Sequence, residues 1–267
     1  EEELQVKLFE RNANEITVTP LGLEIVRQAQ SVLEQADSIR EIAKRGKDPL
    51  AGALRLGIIY TIGPYLLPDL VKQIIERTPQ MPLMLQENLT VKLLEQLRLG
   101  ELDVAILAEP FPDTGLAIAP LYDEPFMAAV PSNHPLAQQT SITAQALKSE
   151  TMLLLGTGHC FRDQALAFCD MTSALPREVL EGSSLSTLVQ MVGAGIGVTL
   201  IPEMAAPVET RSAAVSLARF AGPQPRRTIG MIWRRTSPLA GQLQHIAAIV
   251  RQAADDLRTP ASPLQPA

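Results

Sequence analysis

The stretch GHCFRDQALAFC, Gly158 to Cys169, holds both cysteines of a 267-residue chain and one of its three histidines. A thiol reacts as its thiolate, which is favoured by nearby positive charge and by the N-terminal end of a helix. Cys160 stands at what reads as a helix start, with His159 and Arg162 as sources of positive charge. Asp163 follows three residues on, on the same face; its charge opposes the thiolate, but its oxygens can hold a water or a peroxide by hydrogen bonding. Cys169 ends the apolar run Ala165 to Phe168 and is expected to be buried and inert. Read as one helix, the stretch turns through about 900° between the two thiols and rises about 13 Å. A disulfide needs Cα atoms within about 7 Å. The two sulfurs therefore cannot bond while the helix persists, which suits a switch better than a staple. Composition leaves a second reading open, in which both cysteines are small buried hydrophobes. Metal binding by His159, Cys160 and Cys169 lacks a fourth ligand at usable spacing, so neither metal nor cofactor is expected.

The elements that must position these residues follow from pattern. Leu8 and Phe9, a polar turn at Asn12 to Asn14, then Ile16 and Val18 predict a small hairpin. Thr19 before Pro20 is a helix start, cap residue then proline. Ile25, Ala29, Val32, Ala36, Ile39 and Ala43 recur at heptad spacing, and the helix should close at Lys44, Arg45 and Gly46. Such a rod predicts pairing with a second copy. A linker, Gly46 to Gly52, precedes an alternation of strands and helices. Strands are expected at Ala53 to Ile59, Met81 to Asn88, Val104 to Ala108, Phe126 to Pro131, Met152 to Gly156, Val198 to Pro202 and Arg227 to Arg234. Helices are expected at Pro64 to Pro79, Thr90 to Asp103, Ser184 to Gly195 and Leu239 to Arg258. This order predicts an α/β fold with parallel pairing. The glycine-rich Gly193 to Gly197 lacks the following helix and Lys-Ser/Thr of a phosphate loop and reads as a helix end entering a strand.

Composition narrows the function classes. With 46% hydrophobic and 19% charged residues the chain is globular rather than disordered, long enough for one large or two small domains. A net charge of -6 and a pI near 5.2 argue against a surface built mainly for nucleic acid, and 4% aromatics argue against base-stacking platforms. No apolar run approaches the roughly 18 residues of a membrane span, and EEELQVKLFERN is unlike a secretory signal. With only two cysteines, a reducing cytoplasm is the expected compartment.

A wing ending in TPLG, a heptad helix and the strand LRLGII resemble the LysR-type transcriptional regulators. TIGPYLLP (Thr61 to Pro68), GELDVAIL (Gly100 to Leu107), GHCFRDQALAFC and RRTIGMIWR (Arg226 to Arg234) are closer still to the peroxide-sensing members of that family. Ahead of Gly-His-Cys those members carry acidic residues, where this chain has Gly156 and Thr157. The resemblance implies a periplasmic-binding-protein-like pair of α/β subdomains, preceded by a long linker and dimerisation helix and the remnant of a winged helix. Its division of the chain is 1–19 for the wing, 20–46 for the linker helix, 53–123 with 226–258 for subdomain I, 124–225 for subdomain II, and 259–267 for a disordered tail. It implies a regulator rather than an enzyme, in which Cys160 is oxidised to a sulfenic acid and then joined to Cys169. His159 and Asp163 would belong to the sensor site. Thr61 and Thr90 would line the peroxide pocket, though sequence alone reads Thr90 as a helix cap, and Arg227 would pair with a carboxylate or approach the thiolate. The implied partners are promoter DNA, through a helix-turn-helix preceding Glu1, RNA polymerase, further copies of the chain in a dimer or tetramer, and glutaredoxin or thioredoxin as reductant, with no membrane. Two other functions stay open at this point: a LysR-type regulator sensing a small metabolite between its subdomains, and a thiol peroxidase.

Overall fold

The computed structural model describes residues 1–12, 15–45, 53–111, 115–169 and 179–258. The linker 46–52 and the tail 259–267 lie outside the described residues. A hairpin of β1 (Phe9–Asn12) and β2 (Glu15–Val18) leads into α1 (Pro20–Arg45). Thr19 caps that helix as its sequence predicts, its Oγ1 accepting from the Gly22 amide at 2.9 Å.

The first half of the main body is built from β3 (Leu54–Ile59), α2 (Gly63–Arg77), β4 (Leu83–Asn88), α3 (Thr90–Leu99) and β5 (Val104–Ala108). β3 lies parallel between β4 and β5, with Leu56 beside Leu85 on one side and Val104 on the other. Such strands are buried on both faces and read as unbroken apolar runs. α3 stops at Leu99, short of the predicted Asp103, because Gly100 takes the left-handed conformation at φ 84°. Asp103 instead bonds the Arg55 side chain at 3.0 Å.

The long β6 (Leu116–Pro131) carries the sheet into the second half. There follow β7 (Ser141–Ile142), α4 (Ala144–Leu147), β8 (Met152–Leu155), α5 (Cys160–Phe168), β9 (Val179–Gly182), α6 (Leu185–Gly193), β10 (Thr199–Pro202), α7 (Ala206–Glu209) and β11 (Val215–Phe220). The chain returns through β12 (Arg226–Arg234) and closes with α8 (Ala240–Arg258), which packs on α2 and β6. The principal sheet runs β4-β3-β5-β12-β6-β11-β7, with β10 also paired to β6, while β8 and β9 form a parallel pair of their own. β6 and β12 are antiparallel and pass between the halves, which makes the fold a periplasmic-binding-protein-like α/β pair.

Besides α3, several parts of this frame differ from the sequence expectation; β7, α4 and α7 are short elements that it lacks. β6 begins at Leu116 rather than Phe126. Its first half carries Pro120 and Pro125, which argue against a strand interior, but Pro120 sits where the ladder to β12 shifts register beside Gly230, so its missing N–H breaks nothing. β11 was not expected at all; half its residues are only partly buried and its alternation is weak.

On α1, Ser31 is buried and Gln35 reaches the Leu99 carbonyl, whereas Val32 and Ile39 are 56% and 67% exposed. Helices seldom leave such a stripe bare. Replacing Val32 and Ile39 together by Asp should raise the dissociation constant of self-association about a hundredfold or more, read by sedimentation at micromolar concentration.

Candidate functional site

Four segments meet around Cys160. The turn after β3 supplies Tyr60 and Thr61, and the end of β4 supplies Asn88. Leu89 and Thr90 open α3, while Gly158, His159 and Cys160 open α5. Together they line a cavity of about 10 Å³, enough for one water-sized group. Gly158 is required here: its φ is 97°, and a Cβ on it would stand 3.1 Å from a methyl of Leu89. Both α3 and α5 begin at this cavity, and neither has a side-chain cap on its first turn. Two helix N-termini therefore face one small site, a setting that favours an anion.

The hydroxyls in the wall differ. Thr61 is 3% exposed, and its Oγ1 accepts from Arg227 Nη1 at 2.8 Å, which leaves its own proton to donate. Thr90 Oγ1 is buried with no hydrogen-bond partner among the described residues. Thr90 is the first residue of α3, and Leu89 holds the cap position, so the capping role read from sequence does not apply.

Arg227 does not line the Cys160 cavity; it stands behind Thr61. It makes a buried ion pair with Glu124 at 2.7 Å, donates from Nη2 to the Thr61 carbonyl at 3.1 Å, and lies 5.2 Å from the Phe161 ring centre. Its expected carboxylate partner is thus Glu124, the residue opposite it in the β6–β12 ladder. One guanidinium ties the β3 turn, the crossing strands and α5 together.

The charges expected to assist Cys160 are arranged otherwise. Burial holds the His159 imidazole below its ordinary pKa, so at neutral pH it is uncharged, and its ring packs against Tyr60 with centroids 5.9 Å apart. Arg162 donates to the Leu155 carbonyl and pairs with Glu181 at 2.7 Å, so its charge is committed away from the thiol. Asp163 is exposed and is not part of the cavity wall. Three residues along the helix carry it about 4.5 Å down the axis, past a site that sits at the helix end.

Both cysteines are free thiols. Cys169 follows the last residue of α5 and is fully buried, its amide donating to the Ala165 carbonyl. Burial pushes its pKa up to about 11, with Lys148 opposing. α5 itself is held at both ends: Phe161 meets Phe126 edge-on at 4.9 Å, and Phe168 meets Phe220 at 4.7 Å. Gln164 Nε2 donates to the Glu109 carbonyl at 2.6 Å. Among the described residues no three His, Cys, Asp or Glu side chains gather as a metal site needs, and no helix is long and apolar enough to cross a membrane.

Residues 47–255 match the family model for the LysR substrate binding domain. The chain belongs to the LysR-type regulators, in the branch of the hydrogen peroxide-inducible genes activators. A probable hydrogen peroxide-inducible genes activator of Mycobacterium avium is 40% identical over 248 residues, 92% of this chain and 80% of that protein. A full-length OxyR variant from Pseudomonas aeruginosa superposes with a TM-score of 0.72 at 41% identity, covering 94% of this chain and 86% of that one. A hydrogen peroxide-bound OxyR mutant from Corynebacterium glutamicum superposes with a TM-score of 0.76 at 34% identity, over 96% and 81%.

Sequence reasoning missed Tyr60, Asn88, Leu89 and Glu124; it placed the start of α3 at Thr90 but not the convergence of that helix end with the start of α5. Only Glu124 left a signal, as a charge in the apolar frame of β6 opposite Arg227. Two expectations follow. Arg227→Ala, which strands a buried Glu124, should lower folding stability by about 3–5 kcal/mol in urea denaturation. For Cys169 the folded pKa lies above the ordinary 9.0, so its contribution to stability is full below that value and is lost as pH rises through about 11. At pH 8 its alkylation by iodoacetamide in folded, reduced protein should be about a hundredfold slower than in urea.

Proposed function

We propose that this chain is the sensing part of a thiol-based, hydrogen peroxide-responsive transcription regulator. The observation that carries the reading is α5: one nine-residue helix with a thiol in a small cavity at its start, walled in part by Thr61 and Thr90, and a buried thiol directly after its end. In this reading the Cys160 thiolate attacks a peroxide oxygen. An S–O bond forms as the O–O bond breaks, the other oxygen leaves as hydroxide and takes a proton from solvent, and sulfur gives up two electrons. Thr61 donates to the peroxide, and the unpartnered Thr90 hydroxyl gains the partner it lacks. Cys169, once released, attacks the sulfenic sulfur; an S–S bond forms and water departs. A dithiol reductant of the glutaredoxin or thioredoxin class returns the two electrons. His159 acts as a neutral wall of the cavity, Arg227 positions Thr61 and Phe161, and Asp163 has no direct part.

The bond cannot form while α5 stands, so oxidation has to refold that segment. Residues 53–123 with 226–258, and 124–225, form the two subdomains of this reading, and the refolded segment changes the surface through which copies meet. Copies paired through α1 would then hold their helix-turn-helix units, which precede this chain, at a new spacing on promoter DNA, and RNA polymerase would read the result. The place of action is the reducing cytoplasm, and the protein acts as a regulator, not a peroxidase.

Cys160→Ser should abolish thiol oxidation by peroxide. Cys169→Ser should leave the first oxidation within about threefold of the parent and stop at the sulfenic acid, trapped by dimedone and read by mass spectrometry. Equal loss of initial reactivity in both variants contradicts the assignment. Sustained turnover of excess peroxide with thioredoxin present would place the chain among peroxidases instead.

A further inference from the structure

The cavity at Cys160 has a larger neighbour. A second cavity of about 140 Å³ adjoins it and shares Tyr60, Thr61 and His159 in its wall; Pro64, Glu87 and Ser184 line its far side. Two of the shared residues, Tyr60 and His159, bring their rings into tilted contact there. Tyr60 is 43% exposed. A half-covered ring on the boundary of two cavities is a wall that a substitution can remove.

We propose that Tyr60 is a specificity-determining residue: its ring closes the Cys160 cavity from the larger one and so restricts the sensor to hydrogen peroxide over alkyl hydroperoxides. The inference rests on the peroxide reading of Cys160. In either substrate the thiolate sulfur attacks one oxygen, the S–O bond forms as the O–O bond breaks, and the other oxygen departs as hydroxide or alkoxide and is protonated by solvent. The two substrates differ only in what the departing oxygen carries. With about 10 Å³ at Cys160, a hydrogen fits and a carbon skeleton does not. Removing the ring joins the two spaces, and the added room is of the size a tertiary alkyl or cumyl group needs. Steric exclusion of this kind discriminates moderately, because a side-chain wall can yield to a bulky group.

The test measures second-order oxidation of Cys160 by hydrogen peroxide and by cumene hydroperoxide in the parent, Tyr60→Ala and Tyr60→Phe, each in the full reduced chain, with circular dichroism as a check of folding. Tyr60→Ala should raise the ratio of the cumene hydroperoxide rate to the hydrogen peroxide rate about tenfold or more, while Tyr60→Phe, which keeps the ring, should hold the parent's ratio within about twofold. An unchanged ratio in Tyr60→Ala overturns the proposal, as does a parent that oxidises equally fast with both reagents. Should Tyr60→Ala lose its fold, Tyr60→Leu, which keeps part of the bulk, must give an intermediate ratio, and a parent-like ratio there also overturns it. Failure of Cys160 to react with either peroxide in the parent would instead defeat the peroxide reading itself.

Discussion

The reduced structure turns on a geometrical exclusion. One helix cannot both keep its hydrogen-bond ladder and bring together residues nine positions apart at its two ends. α5 begins at Cys160, and the Cys169 amide closes on the Ala165 carbonyl, so the ladder runs between the two thiols. Helix and disulfide are alternatives, and the energy holding the first is energy the second must overcome. That energy lies in named contacts: Phe161 against Phe126 and Arg227, Phe168 against Phe220, and Arg162 against Glu181. Truncating one buried phenylalanine costs about 3–5 kcal/mol, so the helix is far from marginal. Every ~1.4 kcal/mol of reduced-state packing given up on oxidation shifts the two-electron couple by about 30 mV toward easier reduction. In the proposed reading, the contacts that hold α5 would also set how oxidising a cell must be before the segment refolds.

The Arg227 guanidinium extends this coupling beyond the helix. Its bonds to Glu124 and to both oxygens of Thr61, together with its place over Phe161, join the cavity wall, the strands crossing between the halves and the first turn of α5. A buried charge held by an ion pair and three hydrogen bonds admits few alternative positions. Movement of Phe161 on refolding must disturb this centre and, through it, the turn that carries Tyr60 and Thr61. The opposite end of α3, at Leu99, bears the Gln35 contact from α1, so the element that frames the cavity also touches the helix with the bare apolar stripe.

Local signals were legible in the sequence and long-range pairings were not. The Thr19-Pro20 start, the α5 span and the opposite placement of the thiols follow from periodicity and capping alone. The convergence of Thr61 and Thr90 on Cys160 came from family resemblance, since no local rule brings two loops 29 positions apart to a third. The partners of charged groups were the weak point. Arg162 looks like help for the thiol in sequence but spends its charge on Glu181, a strand away. His159 looks cationic but is held neutral by burial. What faces the thiol instead is a pair of uncapped helix starts; each start is legible in the sequence, but their convergence is not. Pro120 helped to hide half of β6 because its tolerance depends on a bulge that only the partner strand reveals.

The most direct test of the central claim is amide hydrogen exchange across residues 160–169, measured by mass spectrometry in the reduced chain and in the chain carrying the Cys160 to Cys169 disulfide. In the reduced state the α5 amides from Gln164 to Cys169 should be protected. In the disulfide state that protection should fall about a hundredfold or more, while β3, β5 and β12 keep theirs. A disulfide that forms with α5 protection intact would contradict the account, because helix and bond would then coexist.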